Sequence, residues 1–120
     1  MRTSELKGAA LDWAVAGCEG YNLEQAWLPA QYALEDFSPS TNWAQAGPII
    51  EREKLYVWWD YPYTDDDGNK YGDHWCAEGG SEDDNIVVVY GNGDTPLIAA
   101  MRCYVASKLG DEVHIPEELI

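Results

Sequence analysis

The sequence predicts an α+β fold: a small, mainly antiparallel sheet packed against an N-terminal and a C-terminal helix, with long ordered loops. Three observations predict it. Residues 4–20 and 96–109 carry apolar side chains at three- and four-residue spacing, the period of a helix with one buried stripe. The runs KLYVWW at 54–59 and IVVVY at 86–90 have the aromatic and β-branched content of strands. The chain between them is rich in Pro, Gly and polar turn residues yet still carries large aromatics, which marks packed loops. With 120 residues it is long enough for one modest core and too short for two, so 1–120 reads as a single domain.

The first helix is expected from Ser4 to Gly20, with Leu6, Ala10, Trp13, Ala14 and Gly17 as its stripe. Ser4 is available as a cap, Gly8 interrupts the first turn, and Gly20 is the stop. From Tyr21 to Gln45 no period survives. Pro29 and Pro39 break it, Ser38 to Asn42 is a turn cluster, and Trp27, Tyr32, Phe37 and Trp43 mark the stretch as packed. Gly47-Pro48 is expected to open a short helix through Glu53, with Pro48 at its first position. A strand over Lys54–Trp59 follows.

Residues 60–84 hold nine of the 22 Asp and Glu, with Lys70 the only Lys or Arg among them. They are expected to form an acidic loop excursion over 60–85, in which Trp75-Cys76-Ala77 is an apolar island. Ile86–Tyr90 reads as a strand central in its sheet, because the run is apolar on both faces. Gly91-Asn92-Gly93-Asp94 then turns the chain into the most strongly signalled helix. Thr95 is its N-cap, Pro96 its first residue and Gly110 its C′ residue. Leu97, Ala100, Met101, Tyr104, Val105 and Lys108 share one face of it, and Glu112–Ile115 is expected as a short last strand.

Charge narrows the function classes. Acidic residues outnumber Lys and Arg by 22 to 7, a formal charge of -15. Coating duplex DNA requires cations that displace counterions, so direct duplex binding is not expected, nor is binding to an anionic membrane. No apolar run approaches the length of a membrane span, and no apolar signal core follows MRTSELKG, so the protein is expected inside the cell. Three widely spaced cysteines, Cys18, Cys76 and Cys103, fit neither a disulfide framework nor a zinc motif and read as reduced, mostly buried thiols.

The run TPLIAAMRCYVASKLGDEVHIP at 95–116 resembles the signature of the NinX family of tailed-phage accessory proteins. SPSTNWAQAGPIIEREKL at 38–55 resembles that family's second signature, and SELKGAALDWAVA at 4–16 its opening. One departure is Asn42 before Trp43, where the resemblance implies Asp; were a catalytic carboxylate required there, this chain would lack it. The resemblance implies a phage early-region protein acting in the cytoplasm of the bacterial host. It carries no biochemical activity with it.

Two constellations are candidate ligand-binding elements. Ser38, Ser40, Thr41, Asn42, Trp43 and Gln45 gather hydroxyls, amides and an indole within a few residues, the mixture found in small-molecule sites. Thr95 opens a helix whose free N–H groups suit an anion, with Gly91 and Gly93 permitting close backbone approach, and Arg102 lies two turns further on. Each has a plain structural alternative in helix capping or a structural ion pair. Arg52 and Lys54 are further cations, and Trp58, Trp59 and Trp75 a candidate stacking wall. Asp65, Asp67 and Asn69 alternate as in a calcium loop, but Lys70 replaces the required glycine. Asp73, His74 and Cys76 lack a second ligand pair for zinc.

These readings favour a non-catalytic binding module that holds a small nucleotide-like ligand in an aromatic and polar pocket, plausibly sequestering a host defence signal. No cofactor or metal is expected, and a homo-oligomer with a pocket at its interface is a reasonable extension. Two alternatives come from other classes. One is an acidic modulator that binds a basic host protein by resembling DNA. The other is a small metal-dependent hydrolase working through carboxylates.

Overall fold

The computed structural model describes residues 1–21, 37–80 and 88–120. The loop expected over 22–36, with Trp27, Pro29 and Tyr32, and the first two residues of the expected strand, Ile86 and Val87, lie outside the described residues.

The described chain has three α-helices and a three-stranded antiparallel sheet, an α+β arrangement. Helix α1 is Gly8–Cys18, α2 is Trp43–Glu53 and α3 is Pro96–Leu109. The strands are β1 (Tyr56–Asp60), β2 (Tyr63–Thr64), β3 (Lys70–Tyr71), β4 (His74–Gly80) and β5 (Val88–Gly93). The main sheet runs in the order β1-β4-β5, and β2 and β3 form a separate small hairpin.

Four expectations are corrected. The first helix does not start at Ser4: Thr3–Glu5 is a 3-10 turn, and α1 begins at Gly8, whose φ of 54° a glycine adopts without strain. The second helix begins five residues before Pro48, at Trp43, because Asn42 caps it through a 2.9 Å bond from Ala44 N–H to the Asn42 side chain. Proline therefore sits inside α2. Gly47 precedes it and has no Cβ for the proline ring to press against.

The third correction concerns the acidic excursion. Residues 74–80 are the middle strand of the main sheet, so Trp75-Cys76-Ala77 are apolar for the ordinary reason that a central strand is covered. β5 lies at the described edge rather than in the centre, and it continues through Gly91, Asn92 and Gly93 instead of turning there. Fourth, Glu112–Ile115 makes no strand; Arg2 and Glu112 form a single bridge, and Met1 and Val113 exchange hydrogen bonds.

The core centres on α3. Leu97, Ala99, Ala100, Met101, Cys103, Tyr104 and Val105 are all buried, more of the helix than one stripe covers. The reason is that α3 is packed on two sides, by the sheet and by α1 and α2. Ala99 and Cys103 face β5 at very short range. A Cβ at Gly91 would stand 2.3 Å from the Ala99 carbonyl oxygen, and one at Gly93 would stand 2.6 Å from Ile98 Cγ2. These glycines serve helix-on-strand packing, not the approach of a phosphate. The expected ends of α3 are as drawn from the sequence: the Thr95 hydroxyl accepts from Ile98 N–H at 3.1 Å, and Gly110 closes the helix at φ 84°.

Candidate functional site

The Ser38–Gln45 group is occupied by the start of α2. Ser38 N–H donates to the Gln45 side chain at 2.6 Å, Thr41 Oγ1 donates to the Ser38 carbonyl at 3.4 Å, and Asn42 is the cap. Ser40 is only 2% exposed, and its N–H donates to Asp12 Oδ1 on α1 at 2.9 Å. Thr95 is likewise a cap. The side chains of Thr41, Asn42, Gln45 and Thr95 thus serve as backbone partners at two helix starts. The Trp43 ring is exposed, and the Ser40 hydroxyl is buried with no hydrogen-bond partner among the described residues.

The three tryptophans form no single wall, because a strand alternates its faces. Trp59 pairs with Trp75 in register and meets it edge-on with ring centres 5.5 Å apart, on the side where Val57, Ala77 and Gly91 also lie. Trp58 points to the opposite face with Tyr56 and Tyr90, which are 73% and 62% exposed. Asp65 is a turn-former. Its side chain accepts from Asp67 and Asn69 N–H, and those bonds, the Asn69 one first, hold its carboxyl below the usual aspartate range. Arg52 is engaged by Glu19 at 3.0 Å and by Glu53 at 3.3 Å, and Lys54 is the left-handed residue that ends α2.

Arg102 differs from these. It lines an open cleft of about 620 Å³ at the end of β5, together with Arg2, His74, Tyr90, Asp94, Asp111 and Glu112. None of the other candidate ligand residues lines it. The backbone of Gly91 to Gly93 forms one wall, and Thr3 and Ser4 form another. The guanidinium is fixed from two directions: Nε donates to the Leu6 carbonyl and Nη1 to the Asn92 carbonyl, each at 2.7 Å. Both partners are neutral. Among the described residues no carboxylate stands within ion-pair distance of it. Burial holds its pKa below the ordinary arginine value, and nearby Asp94 offsets only part of that; arginine starts so basic that it is charged at neutral pH.

A second convergence was missed in the sequence. Asp60 on β1 lies directly across from His74 on β4, and Cys76 is two residues further along the same face. A carboxylate oxygen, a ring nitrogen and the sulfur of these three all lie within 4.8 Å of one another. Reading forward from His74 finds only Cys76, whereas the third group arrives from 14 residues upstream through strand pairing. The available signal was the alternation of Trp58 with Asp60 and of His74 with Cys76 on either side of a connection that holds the β2–β3 hairpin. Among the thiols, Cys103 is buried on the helix, and burial pushes it up to about 11, which makes it inert at neutral pH.

Fold and cleft together define a small α+β protein built around one central helix, with a charged hollow beside a sheet end. A sequence model for the family described as Bacteriophage P22, NinX, matches residues 2–108, and the chain belongs to that family. It is, at that level, a phage accessory protein. Comparison with curated proteins gave no match. No helix among the described residues is long and apolar enough to cross a membrane.

Proposed function

We propose that the protein is a binding module whose cleft at the end of β5 takes a small nucleotide-like ligand. One observation carries the reading: Arg102 is held in place by two backbone carbonyls, with no carboxylate at ion-pair distance among the described residues, in a chain whose formal charge is -15. An arginine fixed in this way retains N–H donors for a phosphate and loses little entropy in using them. Arg2 lines the same hollow and supplies a second cation.

The cleft is mixed in sign, which suits a nucleotide better than a bare anion. Asp94, Asp111 and Glu112 offer acceptors for hydroxyl groups, as acidic residues do for ribose, and the exposed ring of Tyr90 offers a stacking face. Phosphate, sugar and base thus each have a matching group. Holding such a molecule without turning it over would remove a nucleotide signal from the host cell, and that is the role we assign.

Isothermal calorimetry and melting shifts against nucleoside mono- and diphosphates and cyclic dinucleotides test the assignment. At least one nucleotide should bind at one site per chain, with Arg2→Gln and Tyr90→Ala each weakening it by on the order of tenfold. Native mass spectrometry of protein taken from infected cells should show the same molecule retained. No binding at millimolar concentration by any member of the panel would overturn the reading and shift weight to a protein partner.

A further inference from the structure

We infer that Asp60, His74 and Cys76 form a binding site for a divalent transition metal of the zinc type, on the sheet face away from α3. The juxtaposition follows from strand geometry. Residues paired across an antiparallel ladder share a face, and so do residues two apart on one strand. Asp60 pairs with His74, and Cys76 is two on from His74, so all three side chains project to one side. Their donor atoms converge to within 4.8 Å of one another. Tetrahedral zinc with bonds of 2.0–2.3 Å holds its donors about 3.5 Å apart, so side-chain rotation of an ångström or so closes the site.

The surroundings prepare the histidine for ligation. Its Nδ1 lies 2.8 Å from the Gly72 carbonyl oxygen. A carbonyl can only accept, so Nδ1 carries the proton and Nε2 keeps its lone pair, the arrangement that metal-binding histidines use. The carbonyl itself is held by a rigid bend. Gly72 has φ 82° and a Cβ there would overlap the Tyr61 carbonyl, while Asp73 N–H donates to the Asp60 carbonyl at 2.7 Å. The bend therefore ties the backbone of one ligand to the backbone beside another.

Donor chemistry selects the metal class. One sulfur, one imidazole nitrogen and one carboxylate oxygen suit zinc or cobalt, and they suit magnesium or calcium poorly. Cys76 binds as the thiolate, its proton leaving to solvent, and the three ligands leave a fourth position for water. His74 also borders the cleft of the proposed nucleotide site. The metal site nevertheless stands without that reading, since neither Arg102 nor Arg2 belongs to it.

Cobalt(II) titration of the untagged, metal-stripped protein gives the test. One equivalent should bind and produce the near-ultraviolet absorption of thiolate-to-cobalt charge transfer, and zinc should abolish the band. Cys76→Ser should lose the band while Cys18→Ser retains it. Asp60→Asn and His74→Gln should each weaken binding by on the order of tenfold or more. Circular dichroism of each variant verifies that the fold is kept, and Asp60→Asn needs no change in a buried position. Failure to bind cobalt, or a band that survives in Cys76→Ser, overturns the assignment.

Discussion

Arg102 joins the carbonyl of Leu6 to the carbonyl of Asn92, with 2.7 Å to each. One side chain on α3 thereby ties the segment before α1 to the last part of β5. Hydrogen bonds from a charged donor contribute about 1.5–3 kcal/mol each, and their loss leaves two carbonyls wanting. Arg102→Ala should lower stability by about 3 kcal/mol in urea unfolding. Arg102→Lys should recover about half of that, because one ammonium cannot match the two-armed geometry of the guanidinium. Full recovery in Arg102→Lys would mean that position of charge, rather than the fork, is what the fold uses, and equal loss in both variants would mean that the fork alone carries the tie.

The glycines of β5 and α1 should respond with opposite signs. At Gly91 an added methyl would lie 2.3 Å from the Ala99 carbonyl and 2.5 Å from Cys103 N, both helix backbone atoms that cannot swing aside. Gly91→Ala should cost about 3 kcal/mol or more, or leave no folded protein, as overpacking against backbone does. Gly17 is in α1 with nothing within 4 Å of its position. Gly17→Ala should raise stability by about 0.5–1 kcal/mol through lower backbone entropy in the unfolded chain. Thermal and urea unfolding of the two variants check both signs.

Local signals define both ends of α3 but not the starts of α1 and α2, and long-range pairing leaves little trace in the sequence. Thr95, Pro96 and Gly110 bracket α3 because capping is decided within a turn of backbone. By contrast, Trp75-Cys76-Ala77 looked like an island in an acidic loop because its partners, Trp59, Trp58 and Val57, lie far upstream. The same blindness hid the convergence of Asp60 with His74 and Cys76. Gly91 and Gly93 were seen as a flexible turn, since their real reason, the close backbone of Ala99 and Cys103, is a tertiary one. Of the candidate ligand residues, Arg102 alone lines the cleft, and its informative feature was chemical: a cation among apolar neighbours in a cation-poor chain.

Asn42 shows how a departure from a family pattern is absorbed. Its side chain accepts from Ala44 N–H at 2.9 Å as the N-cap of α2. Asn and Asp serve equally at that position, so Asn in place of Asp preserves the structural role. Asn42→Asp should leave unfolding stability within about 0.5 kcal/mol of the original, while Asn42→Ala should lose about 1 kcal/mol. A nucleotide-hydrolysing activity gained on introducing the carboxylate would show instead that the position serves catalysis in relatives.

The last prediction concerns Asp12, buried on α1 and accepting from Ser40 N–H at 2.9 Å. Burial raises its pKa above the ordinary aspartate value, and the bond from Ser40 offsets only part of that. The sign follows from linkage. A carboxyl with a raised pKa in the folded state holds its proton more tightly there than when unfolded. Its contribution is then fully present below the unfolded value of about 4 and is lost as pH climbs through the folded value. At neutral pH the ionised group is a liability. Asp12→Asn keeps an oxygen for Ser40 and removes the charge, so it should be more stable than the original at pH 7. The difference should shrink toward zero as the pH is brought below about 4. Asp12→Ala should be less stable at every pH, by about 1–3 kcal/mol, because it leaves the Ser40 N–H buried without an acceptor. Paired urea titrations of the three proteins across that range separate the two effects, and an Asn variant weaker than the original at neutral pH would show that ionised Asp12 contributes more through its hydrogen bond than burial takes away.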